Sequence, residues 1–239
     1  TVTFRADGSS KFGANNKWGY FPSASFAWRM SEEDFIKNLN TFSNMKLRLS
    51  YGAAGNNRIG TFRSLSRMSS SWQPFENSTS VSYYSSQLPN PDLKWETNIS
   101  ANAGLDLGFF DQRLQVVVDV YNNQTDNLLL ESKVPLLSGY ATTMKNIGKT
   151  QNRGAELTIN TVNIRKKNFS WETAFNISTN RNTVLQLADA DFFTSRSGWA
   201  SVAEFNDDDY RIEVGQALGN MYGCKQTGFV QCAWTNEFR

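Results

Sequence analysis

Acid–base and nucleophilic chemistry at neutral pH rests most often on histidine, and none occurs among the 239 residues of this chain. A Ser-His-Asp or Cys-His constellation is therefore impossible within it, and the commonest metal ligand is missing as well. The two cysteines, Cys224 and Cys232, lie close together in sequence. They suit a small disulfide loop in an oxidising compartment or two free thiols. Asn206-Asp207-Asp208-Asp209 offers oxygen ligands of the kind that hold Ca²⁺, but reads better as a solvated loop tip. Gly52-Ala53-Ala54-Gly55-Asn56-Asn57 is glycine-rich but leads into no helix, so it lacks the second half of a phosphate cradle. No catalytic, cofactor or metal site is expected, and the chain does not read as an enzyme.

What remains is the chemistry of contact. Trp72, Tyr83, Tyr84 and Trp199 fall in long connections, where aromatic faces stack on sugar rings, press on a partner protein, or pack the loops against one another. Arg29, Arg48, Asp106, Asp119, Glu156 and Glu172 sit at alternate positions opposite apolar neighbours, which suits the wall of a wet lumen. The net charge of +2 includes no long run of Lys or Arg, which argues against nucleic acid as a partner.

The elements that position these residues are strands. Leu114, Val116, Val118 and Val120 form one row of a period-two pattern, and Gln115, Val117, Asp119 and Tyr121 the other. Ile99, Ala101, Ala103, Leu105 and Leu107 repeat it against Asn98, Ser100, Asn102, Gly104 and Asp106. Further segments near 2–7, 23–29, 46–51, 155–161 and 170–178 alternate in the same way, and an eighth strand is expected over 217–222. Charges occupy only one row of each segment. A Lys or Arg at the midplane of a bilayer costs about 2–4 kcal/mol, so a lipid-facing row must exclude them. A soluble β-sandwich alternates too, its apolar row turned inward. No window has the roughly 20 apolar residues of a transmembrane helix, and the mean hydropathy of −0.49 does not exclude a barrel, which gives lipid only every second residue.

Connections separate the two architectures. Those at 108–112 and 164–168 are short, whereas 53–96, 122–153 and 179–216 are long, and short and long nearly alternate as they do in an outer-membrane barrel. The stretch 30–45 breaks the rule by exceeding 8–19. A short helix capped by Ser31 ahead of Glu32, Glu33 and Asp34 accounts for that. Trp28, Tyr51, Phe109, Phe110, Tyr121 and Trp171 fall toward strand ends or in tight turns, as interfacial girdles would. Both chain ends read as cuts in a longer polypeptide.

Several stretches together resemble one family. These are DGSSKFG at 7–13, WGYFPSASFAWRMSEEDF at 18–35, MKLRLSYGAAGNN at 45–57, NPDLKWETN at 90–98, GLDLGFFDQRL at 104–114, NIGKTQNRGAELTI at 146–159 and FSWETAFNISTNRNTVLQL at 169–187. In that order the chain resembles the SusC/RagA family of TonB-dependent outer-membrane transporters. The resemblance implies an all-β, antiparallel transmembrane barrel segment of seven or eight strands, within a whole barrel of about 22 strands. It implies that residues 1–239 belong to the C-terminal half of that barrel, with the plug domain and N-terminal extension elsewhere in the polypeptide. It further implies a SusD-like surface lipoprotein as partner, TonB acting through the N-terminal part, and a glycan or oligopeptide as cargo. A soluble carbohydrate-binding sandwich and a small stand-alone barrel with a structural or adhesive role are the competing readings.

Overall fold

The computed structural model describes residues 1–75, 78–187, 192–195, 209–226 and 232–234. All seven alternating segments are strands: β1 (Val2–Gly8), β2 (Trp18–Arg29), β3 (Phe42–Asn56), β6 (Glu96–Phe109), β7 (Leu114–Lys133), β8 (Thr142–Lys166) and β9 (Phe169–Gln186). Each pairs antiparallel with the next to give one curled sheet. Between β3 and β6 the chain makes a further hairpin, β4 (Arg67–Phe75) and β5 (Ser78–Leu88), joined to the sheet by a short parallel pairing of Gln87 and Leu88 with Thr142 and Thr143.

The ladder register sorts side chains into rows that run across the sheet. One row is Trp28, Leu47, Leu105, Val118, Leu157 and Ile177. A neighbouring row on the same face is Phe26, Leu49, Ala103, Val120, Ala155 and Thr179. On β6 the apolar band runs from Phe109 to Ala101, and at about 3.3 Å per residue this contour is roughly 26 Å, close to the roughly 9–11 residues with which a tilted strand crosses a membrane. Phe26, Leu49, Val120, Phe175 and Ile177 are exposed on this face. A sandwich requires a second sheet over these residues, and among the described residues none covers them. The sheet also does not close on itself among the described residues, since β1 and β9 each have one strand neighbour. Among the described residues no helix is long and apolar enough to cross a membrane.

Several expectations need correction. The connections at 53–96 and 122–153 are largely strand: β3 runs on to Asn56, and β7 and β8 leave only 134–141 between them. The alternation fades there because Asn122-Asn123-Gln124-Thr125 continues the ladder with polar residues on both faces, as befits strand beyond an apolar layer. The serine-rich β4 and β5 carried too few apolar residues to register as strands. The expected strand at 217–222 is a two-residue bridge, Asn220–Met221, in a separate three-stranded sheet. In 30–45, a 3₁₀ turn (Met30–Glu32) precedes a short helix α1 (Asp34–Lys37) whose N-cap is Glu33, not Ser31, with no side-chain cap bond.

At the short-turn end, β6 and β7 join through Phe110, Asp111 and Gln112, all at positive φ (53°, 53° and 67°). Left-handed backbone costs a non-glycine residue roughly 1–2 kcal/mol. The turn is held from outside by Ser43 Oγ, which accepts from Gln112 N–H at 3.1 Å, by Val162 N–H, which donates to Arg113 O at 2.7 Å, and by Arg113 Nε, which donates to Val162 O at 3.3 Å.

Candidate functional site: a polar wall and a clasped rim

The face opposite the apolar band carries the charges. Arg48, Gly104, Asp119, Glu156 and Ser178 lie in one row, directly opposite one another strand by strand. Arg48 donates to both oxygens of Asp106 at 2.7–3.1 Å and from Nη2 to Asp119 at 2.9 Å. The guanidinium crosses β6 because Gly104 has no side chain. A Cβ there would collide with Asp119 Oδ1 and the Arg48 guanidinium. Three of the six predicted wall residues thus form one cluster, with a glycine that sequence reasoning passed over as its floor.

The others are separate. Glu156 stands directly opposite Asp119, and neither it nor Arg29 has an ion-pair partner among the described residues. Glu172 accepts only a 3.4 Å bond from Ser170 Oγ. Arg29 lies opposite Lys46 across the ladder, and Lys46 in turn lies opposite Asp106. Tyr121 also belongs to this face, its hydroxyl lying over Gly154, and so does not form part of an interfacial girdle. Phe42 and Phe109, ring centroids 5.1 Å apart, occupy the short-turn margin of the apolar face.

The Arg48 cluster is partly exposed, with side-chain accessibilities between 23% and 38%, so water screens it. Arg48→Met is expected to lower stability by about 1 kcal/mol through the unbalanced Asp106–Asp119 pair. Thermal unfolding of the full-length protein in detergent measures this. The deficit shrinks in about 1 M salt, where the Debye length falls to about 3 Å. A deficit independent of salt would show that packing, not charge, holds this part of the wall.

At the long-loop end the sequence builds a clasp. The registered pairing of β2 with β3 ends at Ser23–Gly52. Beyond it Phe21 lies where a Cβ on Gly19 or Gly55 would sit. Phe12, Phe21, Ile59, Leu93, Trp95 and Met144 form a buried cluster, with Ala53 and Leu129 against it. Trp95 packs on Phe12 and Phe21 at centroid distances of 5.0 and 5.6 Å and donates from Nε1 to Lys17 O at 3.2 Å. Gly13 N–H donates to Leu93 O, and Asn90 Nδ2 to Met144 O. Asn146 exchanges bonds with both the N–H and C=O of Lys94. The segment 90–95 therefore ties the 9–17 loop of the β1–β2 hairpin to β8 across three intervening strands, β3, β6 and β7. Its signal was in plain sight as the NPDLKWETN motif, yet alternation gives no reason to expect a core there.

The clasp holds the base of the β4–β5 hairpin through buried Gln87, which exchanges bonds with Arg63, and Thr143, which donates to Leu88 O. Above that base, Met68, Trp72, Val81 and Tyr83 share one face, since Trp72 pairs with Val81, and Met68 with Ser85. All four are exposed, Trp72 at 72% and Tyr83 at 70%. Tyr84 points to the opposite face, among Ser69, Ser71 and Ser82. Met68 and Val81 were not foreseen as its companions. Trp199 and the acidic residues 206–208 lie outside the described residues. Cys224 pairs across a small ladder with Trp234, and Cys232 with Gln226, not with each other. Among the described residues no group of His, Cys, Asp or Glu is placed to hold a metal.

The sheet, its two chemically opposite faces and the sidedness of its loops agree with the comparisons. Residues 1–222 match the family described as TonB dependent receptor-like, beta-barrel. The chain belongs to that family. It is 42% identical over 238 residues to TonB-dependent receptor P39 of Formosa agariphila, covering 100% of this chain and 22% of that protein. It is 36% identical over 227 residues to TonB-dependent receptor SusC of Bacteroides thetaiotaomicron, covering 91% and 21% respectively. The chain thus spans about a fifth of the curated relatives it matches. Among solved structures it superposes on the RagAB peptide transporter with a TM-score of 0.77 at 24% identity, covering 100% of this chain and 27% of that one. That likeness speaks for the fold of this TonB-dependent receptor segment.

Proposed function

We propose that this chain is wall and rim of a SusC-like, TonB-dependent importer of the bacterial outer membrane, a part of the C-terminal half of a larger plugged barrel. The observation that carries the reading is the segregation of faces: a band of exposed apolar residues, about 26 Å long measured along β6, backs onto Arg48, Asp106, Asp119, Glu156 and Glu172. Only a wall with lipid on one side and water on the other makes both faces favourable at once. The polar face then lines the lumen, and the long-loop end, with its clasp and hairpin, is extracellular.

The cargo is a glycan, delivered beneath a SusD-like lipoprotein that covers the rim. Trp72 and Tyr83, exposed on one face of the hairpin, are suited to contact sugar faces or the underside of that lid. Energy enters through TonB acting on the N-terminal part, and this chain supplies surface, not catalysis. Uptake of an oligopeptide is the second reading, favoured by the fold shared with RagAB, a peptide transporter.

In the full-length protein, Trp72→Ala combined with Tyr83→Ala should weaken capture by roughly tenfold, from the loss of two contacts of about 0.5–1.5 kcal/mol each. Co-purification with the lipoprotein and binding of oligosaccharide and oligopeptide mixtures separate lid contact from cargo contact. Normal binding of both, with a folded barrel, would remove these two residues from the mechanism.

A further inference from the structure

Arg153 on β8 and Arg181 on β9 are directly opposite each other, and both are exposed. Register places them on the apolar face. Their row runs Ala24, Tyr51, Ala101, Asn122, Arg153, Arg181, and the next row toward the band's centre holds Ala155 and Thr179. Like charges directly opposite on a sheet are destabilising. Neither guanidinium has a carboxylate partner among the described residues. Asp126, further along β7, is held by Lys149 at 3.2 Å and by Gln124 at 3.1 Å. Asn122, beside Arg153 in the row, is engaged by Gln151 Nε2 at 2.8 Å. Two forked cations side by side, on the face that avoids charge everywhere in the band, leave a place for an anion that the described residues do not supply.

Their depth identifies the anion. Arg153 is four residues from Leu157 in the middle row, about 13 Å along the strand, which is half the height of the band. This is the margin of the apolar layer, where the penalty for Arg falls to about 0–1 kcal/mol, and where lipid headgroups lie. Beside it, along the same rows, the face is hollow. Small Ala101 and Ala103 lie between Phe26, Leu49, Tyr51 and Val120 and form the floor of an apolar groove of about 580 Å³. The groove's floor on β6 is two strands from Arg153, roughly 10 Å away. A phosphate clamp next to an acyl-sized groove matches one kind of molecule.

We propose that Arg153 and Arg181 together bind the headgroup phosphate of an outer-leaflet lipid whose acyl chain lies over Ala101 and Ala103. Arginine pairs take phosphate through parallel N–H donors, and the two guanidiniums cease to repel once a dianion lies between them. The site rests on the membrane reading above, because the face must meet lipid and its long-loop margin must be the outer one.

The test uses the full-length protein, with Arg153→Gln plus Arg181→Gln and, separately, Ala101→Leu. Wild-type protein extracted in mild detergent should retain phosphorylated outer-membrane lipid in native mass spectrometry. In nanodiscs it should bind that lipid at least tenfold more tightly than its dephosphorylated form. The double variant should bind both forms equally and weakly, and Ala101→Leu should weaken both without removing the phosphate preference. Displacement of the lipid by millimolar inorganic phosphate would overturn the assignment to a lipid, as would equal retention by wild type and double variant. Membrane fractionation of the same cells separates the two readings. Absence from the outer membrane rejects the barrel reading itself, whereas a correctly inserted barrel without lipid preference rejects only this site.

Discussion

Arg in place of Leu105 is expected to prevent stable insertion of the barrel, whereas Lys in place of Asn102, three residues away on the same strand, is expected to be tolerated. Leu105 lies in the middle row between Leu47 and Val118, so any side chain there projects from the apolar face at its greatest depth. A guanidinium at that level costs about 2–4 kcal/mol, and its reach to either margin is about 13 Å along the strand. Asn102 sits between Ser50 and Tyr121 on the polar face, where a cation meets water and the acids of neighbouring strands. The measurement is heat-modifiability of the full-length protein in outer-membrane fractions, supported by urea refolding into vesicles. The Leu105 variant should show little folded band and the Asn102 variant a normal one. Equal folding of the two would mean that the apolar face does not meet lipid, and the membrane reading would fall with it. The contrast is sharper than any single loss of stability, because both changes add one positive charge to one strand.

The same row logic explains what could and could not be read from the sequence. The seven main strands were legible because each combines a one-sided apolar row with a charged row, and parity alone sets Asp119, Arg48 and Asp106 opposite the apolar rows, where the ladder also has them. Parity carries no information across strands, however. That Arg48 reaches Asp119 depends on a register in which Gly104 lies between them. Strand lengths were underestimated for a related reason. From Asn122 to Asn127 both faces are polar, the period-two signal vanishes, and only the ladder with β8 shows that the strand continues to Lys133. The rim was the least legible part, since Phe12, Leu93, Trp95 and Met144 come from elements distant in sequence and none lies in an alternating run. Their burial follows from loops folding over the strand ends. Polar side chains such as Asn90 and Asn146 supply the backbone of those loops with partners that a ladder would otherwise provide.

Removal of Trp95 should therefore loosen the rim without opening the wall. Its side chain is 8% exposed and lies between Phe12 and Phe21, with the indole N–H bonded to Lys17 O. Trp→Ala in a packed core costs about 3–5 kcal/mol, and here little can collapse into the space, because the Gly19 and Gly55 positions are already filled by the Phe21 ring. The loss falls on local opening and not on global unfolding, since the seven-strand ladder remains intact. Amide hydrogen exchange on the full-length protein should show residues 9–17 and 89–95 exchanging about 10²–10³-fold faster, with β6 to β8 below the rim unchanged. Trp95→Phe keeps most of the contact and loses only the bond to Lys17, so it should recover all but about 1 kcal/mol. Because the hairpin bearing Trp72 and Tyr83 is anchored through Gln87 and Leu88 beside this cluster, cargo capture should fall in Trp95→Ala and largely return in Trp95→Phe. Unchanged exchange in the alanine variant would show that the rim is held by its polar bonds alone. Faster exchange with normal capture would show that Trp72 and Tyr83 do not depend on the clasp for their position.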